Sequence, residues 1–294
     1  MRKKTTRREA FKNLVLAGTG VMATSAISCT TAQSSTNAKR LKNNINHSVC
    51  RWTYSFLSLD ELCKNVKQIG FAAIDLVGPK DWSILKNHNV FSSMCNGAEI
   101  SLKEGWNDKQ YHSTLIKNYT DHIDLVAKAG YKNLICFSGN RRGMDDETGI
   151  KNCAEGLKKI MSHAETKGVI IQMELLNSKV DHKDYMCDKS AWGVELCKRV
   201  GSPNFKLLYD IYHMQIDEGD VIRTIRESYE YFGHYHTAGV PGRNEINETQ
   251  ELYYPAIMKA ILAAGFKGYV AQEFKPVAQD KIASLKEAIM ICDV

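Results

Sequence analysis

The sequence predicts a single-domain (β/α)8 barrel, a TIM barrel, behind an N-terminal leader, and three observations carry that fold class. Glycines recur at Gly70, Gly130, Gly168, Gly201, Gly233 and Gly265, the last four spaced 33, 32 and 32 residues apart. Most of them end a helical pattern and precede an apolar run, as in KQIG-FAAIDLV and ETKG-VIIQMEL, where a left-handed glycine closes a helix and turns the chain into a strand. Eight such units fit in about 247 residues, the usual size of a closed β/α barrel. The segments after the strands are also the longer connections, at 96–110, 175–187 and 239–250, and barrel chemistry sits on that face.

Taken in order, strands are expected near 48–54 (SVCRWTY), 71–77 (FAAIDLV), 90–95 (VFSSMC), 132–138 (KNLICFS), 169–175 (VIIQMEL), 205–210 (FKLLYD), 232–238 (FGHYHTA) and 268–274 (GYVAQEF). Each is a short apolar or alternating run, and an amphipathic segment follows, such as SLDELCKNVKQI, YHSTLIKNYTDHIDLVAKA and GLKKIMSHAETK. The barrel is therefore expected over 48–294. Residues 30–47, rich in Ser, Thr, Asn and Lys, suggest a disordered tether. Residues 1–29 combine a basic start (MRKKTTRREAFKN), a mildly apolar stretch (LVLAGTGVMATSAIS) and small residues, the layout of a signal peptide, and TRREAFK resembles a twin-arginine export motif. The expected location is exported and periplasmic, with Cys29 in AISC as a candidate lipid anchor.

The leader also explains the charge. The whole chain has 39 Lys and Arg against 33 Asp and Glu, but residues 1–47 hold nine of the former and one of the latter. The remainder carries 30 basic and 32 acidic residues, so the basic balance gives no argument for nucleic acid. The eight cysteines after Cys29 form no C-x-x-C pair, which argues against a zinc ribbon or redox motif. Cys50, Cys95 and Cys136 fall in apolar segments and are expected as buried thiols.

Chemistry gathers in the second half. Successive strands end at Glu174, Asp210, His236 and Glu273. Alternation puts Gln172 with Glu174, and His234 with His236, on the inward face. Three carboxylates and an imidazole at one rim suit a single divalent ion such as Mn²⁺, Mg²⁺, Co²⁺ or Zn²⁺. A lone strand-end carboxylate is ordinarily a cap or a solvated charge; four in succession make a ligand set, with Asp210 in the D-x-x-H of KLLYDIYHMQIDEGD.

These residues sit within longer matches: ELLN at 174–177, KRVGSPNFKLLYDIYHMQIDEGD at 198–220, GHYHTAGVPGRNE at 233–245 and QEF at 272–274. On them the chain resembles the xylose-isomerase-like barrels, most closely the hydroxypyruvate isomerase family and more distantly the tagatose 3-epimerases. The resemblance implies that Glu174, Asp210, His236 and Glu273 are metal ligands, that Glu174 and Glu273 also transfer protons, and that His213 and Arg243 hold substrate oxygens. It departs at His236, where hydroxypyruvate isomerases carry Gln and epimerases His, at Asn244 in place of His, and at Val180 in place of an epimerase Glu.

The implied activity is isomerisation or epimerisation of a small sugar or keto-acid. A proton leaves the carbon next to a carbonyl, and an ion chelated by both oxygens of the enediolate stabilises its charge. A positioned base supplies roughly 10²–10⁴-fold, about 3–5 kcal/mol, where even a modest enzyme needs about 8 kcal/mol, so ion and oxyanion donors must add the rest. Alternatives are a dehydratase of the same superfamily and an exported sugar-binding barrel without turnover. Expected partners are the small-molecule substrate, no nucleic acid, a membrane only through Cys29, and a homo-oligomer as an option. Arg141 and Arg142 are expected as a solvated loop pair, with a phosphate or carboxylate site as the alternative. Trp52 and Trp106 are expected as site lining or core, His234 as barrel filling or a ligand's partner, and Lys179 and His182 as exposed loop residues, with reach to the substrate as the alternative.

Overall fold

The structure, a computed structural model, describes residues 40–294. The expected signal peptide, Cys29 and the first part of the expected tether lie outside the described residues.

Eight parallel strands form the wall: β1 (Asn46–Val49), β2 (Ala73–Asp75), β3 (Phe91–Met94), β4 (Asn133–Cys136), β5 (Ile170–Glu174), β6 (Phe205–Asp210), β7 (Phe232–Thr237) and β8 (Tyr269–Gln272). Continuous ladders run in the order β1-β8-β7-β6-β5-β4, and β2 pairs with β3. The two ladders meet at parallel bridges, Cys50 with Asp75 and Cys95 with Leu134. These close the circle, so every strand keeps two neighbours and no backbone edge faces water.

Helices alternate with the strands: α1 (Leu59–Ile69), α2 (Trp82–Asn87), α3 (His112–Ala129), α4 (Asp146–Lys167), α5 (Ser190–Val200), α6 (Ile211–Asp217), α7 (Val221–Ser228), α8 (Tyr254–Ala263) and α9 (Lys281–Cys292). Their ends follow local chemistry. Ser58 and Glu61 form a reciprocal capping box at α1, and Asp145 caps α4 through the Thr148 amide. Gly70, Gly130, Gly168 and Gly201 terminate α1, α3, α4 and α5 in the left-handed conformation. Gly233 differs: it lies inside β7, where a Cβ would stand 2.7 Å from the Gln172 side-chain oxygen.

The barrel begins earlier than position 48. Leu41 and Ile45 are buried, β1 starts at Asn46, and the Lys42 amide donates to both Asp293 carboxylate oxygens, at 3.1 and 3.0 Å. Residues 40–47 are thus a folded part of the barrel and not the end of a tether. Their polar composition misleads because their partner is the C-terminus, which also holds the Asn44 amide through the Val294 carbonyl (2.9 Å). The eight described cysteines are all free and buried, and burial pushes the Cys95 and Cys197 thiols up to about 12. Among the described residues, no helix is long and apolar enough to cross a membrane.

Candidate active site

The strands deliver their polar ends to one rim. Glu174 is the last residue of β5, Asp210 the last of β6, His236 the fifth of β7, and Glu273 follows β8 directly. All four are buried, and one donor atom from each lies within 4.8 Å of the others. His236 Nδ1 is 3.1 Å from Glu174 Oε1, 3.0 Å from Glu273 Oε2 and 4.0 Å from Asp210 Oδ2.

Asp210 shows how one residue serves two purposes. It N-caps α6, where Oδ1 accepts the His213 amide at 3.1 Å. Its Oδ2 is buried without a hydrogen-bond partner and faces the cluster. Cap and candidate ligand are the same side chain, one oxygen for each.

Arg243 enters from the loop after β7. Within that turn the Gly239 amide donates to the Asn244 carbonyl (2.8 Å) and the Arg243 amide to the Gly239 carbonyl (2.9 Å). Arg243 itself takes a left-handed φ of 60°. The turn is anchored by Glu245, which accepts from the amides of Val277 and Ala278 and from the Ser284 hydroxyl. So held, the guanidinium donates to Glu273 and stands 3.6 Å from Asp210 Oδ2, over the rings of Trp52 and Tyr212. The Trp52 indole also donates to Glu273 Oε1 at 2.8 Å.

His213 lies beneath. Its Nδ1 meets the Asn177 amide nitrogen at 2.6 Å, and its Nε2 is unpartnered, 3.6 Å from Asp210 Oδ2. Burial, then the charge of Arg243, holds this imidazole well below its ordinary pKa and therefore neutral. The carboxylates respond unequally to their crowding. Burial and then the charge of Glu273 push Asp210 well above the usual range, and Glu174 is raised chiefly by burial. Burial would raise Glu273 too, but Arg243 and then His236 outweigh it and hold Glu273 well below. The convergence of three carboxylates, the orphaned Asp210 oxygen and the O₃N donor set fit a divalent cation.

The remaining expectations divide. Trp52 borders the site, whereas Trp106 is core, packed with tilted rings against Tyr119 and His112. Arg141 pairs with Asp146 and Asp188, and Arg142 with Asp108, away from the cluster. Lys179 donates to the carbonyls of Ile216 and Asp217, both at 2.9 Å. His182 reaches the His213 ring, 5.2 Å between centroids. His234 stands behind His236 rather than in the quartet.

Sequence reasoning missed Asp75. This fully buried residue ends β2 and lies between two histidines, Oδ2 at 2.8 Å from His236 Nε2 and Oδ1 at 3.0 Å from His234 Nε2. The His234 contact is close but poorly aligned for a hydrogen bond. Burial would raise the Asp75 pKa, but both histidines outweigh it and hold the carboxylate well below the usual range. The available signal was an acidic residue inside the apolar run FAAIDLV, at the same strand-end position as the other four.

Fold and site together define a class. The profile of the xylose isomerase-like TIM barrel family matches residues 63–289, and the chain belongs to that family. It is 34% identical over 124 residues to the 2-oxo-tetronate isomerase of Cupriavidus necator, covering 42% of this chain and 47% of that one. It thus spans about half the length of that relative. Against the hydroxypyruvate isomerase of Escherichia coli it is 26% identical over 249 residues, 80% of this chain and 94% of the other. The fold also superposes on the D-psicose 3-epimerase of Clostridium cellulolyticum, solved with D-tagatose, with a TM-score of 0.66 at 16% identity, covering 85% and 96% of the two chains.

Proposed function

We propose that this protein is a divalent-metal-dependent isomerase or epimerase of small hydroxy-ketones, either sugars or keto-acids. The observation that carries this is the convergence of Glu174, Asp210, His236 and Glu273 within 4.8 Å. The names of the isomerases and the epimerase that the chain resembles support the same reaction class.

Glu174, Asp210, Glu273 and the Nδ1 of His236 would hold the ion. When bound, it supplies Lewis-acid stabilisation for the negative charge that develops on two adjacent substrate oxygens. Glu174 and Glu273 take and return the proton next to the carbonyl; they come from β5 and the end of β8, with two strands between them. The Trp52 indole and the Arg243 guanidinium each hold one oxygen of Glu273, fixing the carboxylate while it works. The unpartnered Nε2 of His213 and the Arg243 guanidinium hold substrate oxygens, and the rings of Trp52 and Tyr212 flank the guanidinium. The basic-then-apolar start of the chain supports an exported, periplasmic setting, which cell fractionation tests.

The deciding experiment is metal analysis of the purified protein, followed by an NMR screen of ketoses and keto-acids in deuterated buffer. One divalent ion per chain and solvent deuterium at the carbon next to the carbonyl are expected. An ion-loaded protein that binds a sugar without exchanging that hydrogen would sink the proposal in favour of a binding protein.

A further inference from the structure

We infer that Asp75 is a positioning residue that fixes His236 so that Nδ1 is offered to the ion, and that it thereby sets how tightly the ion is held. This rests on the metal centre proposed above.

The carboxylate is pinned from several sides. Oδ1 accepts the Ser93 hydroxyl at 2.6 Å, and the Ser93 hydroxyl is itself 2.5 Å from that of Ser48. His234 stands 3.0 Å from Oδ1, and the Cys50 thiol 3.7 Å from Oδ2. The backbone adds a constraint, because Asp75 is the residue through which β2 bridges to Cys50 of the neighbouring strand segment. Against this fixed group His236 Nε2 makes a 2.8 Å hydrogen bond.

An ionised carboxylate only accepts, so the ring nitrogen that faces it must carry the proton. An ion that binds at Nδ1 displaces any proton there, and the ring then keeps its proton at Nε2 and offers its lone pair at Nδ1, the atom among Glu174, Asp210 and Glu273. The hydrogen bond also makes the ring a better donor to a metal, an effect whose loss ordinarily costs 10–100-fold in metal affinity. An asparagine at position 75 reverses the demand: its amide can donate to Nε2, which moves the ring proton to Nδ1 and into the site.

The test is a cycle read as Mn²⁺ affinity by calorimetry on the full chain, with activity set aside. Asp75→Asn is expected to bind Mn²⁺ about 10–100-fold more weakly than wild type. In a His236→Gln background the ligand is an amide oxygen with no tautomer to control, so adding Asp75→Asn should change affinity by no more than about 2-fold. A second measurement needs no variant. In the Zn²⁺-loaded wild type, ¹H–¹⁵N spectra of the imidazoles should show a slowly exchanging proton on His236 Nε2. Equal Mn²⁺ affinity of Asp75→Asn and wild type would overturn the inference alone, as would an equal loss in both backgrounds, which marks a structural role, or a Zn²⁺-loaded ring without the Nε2 proton. A wild type that takes up no divalent ion would overturn the proposed function and this inference together.

Discussion

At the scale of single residues, Glu→Gln substitution separates proton transfer from ion binding. Glutamine keeps the size of glutamate and one oxygen ligand but not its basicity. Glu174→Gln and Glu273→Gln are each expected to retain weakened metal binding while turnover falls by roughly 10² or more; deuterium exchange into a bound hydroxy-ketone checks it. Exchange that survives both changes would place the base elsewhere, with His213 next to be tried. His213→Ala and Arg243→Ala should raise KM as well as lower kcat, since their contacts to substrate oxygens already exist in the ground state; steady-state kinetics in which only kcat moves would refute that assignment. The quartet was legible because each member lies at or beside the end of a strand in a run long enough to recognise, and Asp210 was legible in spite of its capping role. Asp75 was not. Its strand has three residues, its neighbours are uniformly apolar, and the histidines that give it meaning lie far along the chain on β7.

At the scale of elements, strand positions follow from glycine punctuation and apolar runs, and β6 has the limits expected for it, Phe205–Asp210. The other expected strands end later than the ladders. Arg51–Tyr54, expected within the first strand, instead form a short 3-10 helix, while Cys50, Cys95 and Leu175 keep backbone bonds to the neighbouring strands beyond the ladder ends. The larger error is at 40–47. Only Leu41 and Ile45 are apolar in RLKNNINH, too few to signal burial, and the groups that hold the segment belong to the last two residues of the chain. Leu41→Ala is expected to cost about 2–5 kcal/mol, the usual range for a buried leucine, measured by urea unfolding. An unchanged midpoint would restore the tether.

At the scale of the whole molecule, the same clasp makes stability depend on acid. His47 is buried, and desolvation lowers its pKa to about 4 even though Asp293 opposes the shift. Asp293 Oδ1 is 3.7 Å from His47 Nε2, a charge contact beyond hydrogen-bond range. With the folded value below the ordinary 6.5, the unfolded chain binds the proton more readily. The stabilising contribution is therefore complete above pH 6.5 and is lost as the pH falls towards 4. Between pH 7 and 5 that amounts to about 2 kcal/mol. His47→Gln should flatten the pH dependence of urea unfolding over this window; a variant with the same slope as wild type would exonerate His47. The wall has its own weak place. Six strands share continuous ladders, while the β2–β3 pair joins them through one bridge on each side. On warming, that pair is the stave expected to work loose first, with the amides of Ala73–Asp75 exchanging hydrogen well before those of Leu207–Tyr209. Glu174, Asp210 and His236 ride on the tight side of the cask and Asp75 on the loose one. Heat would then spoil the aim of an imidazole while the protein still looked folded, and inactivation would precede melting.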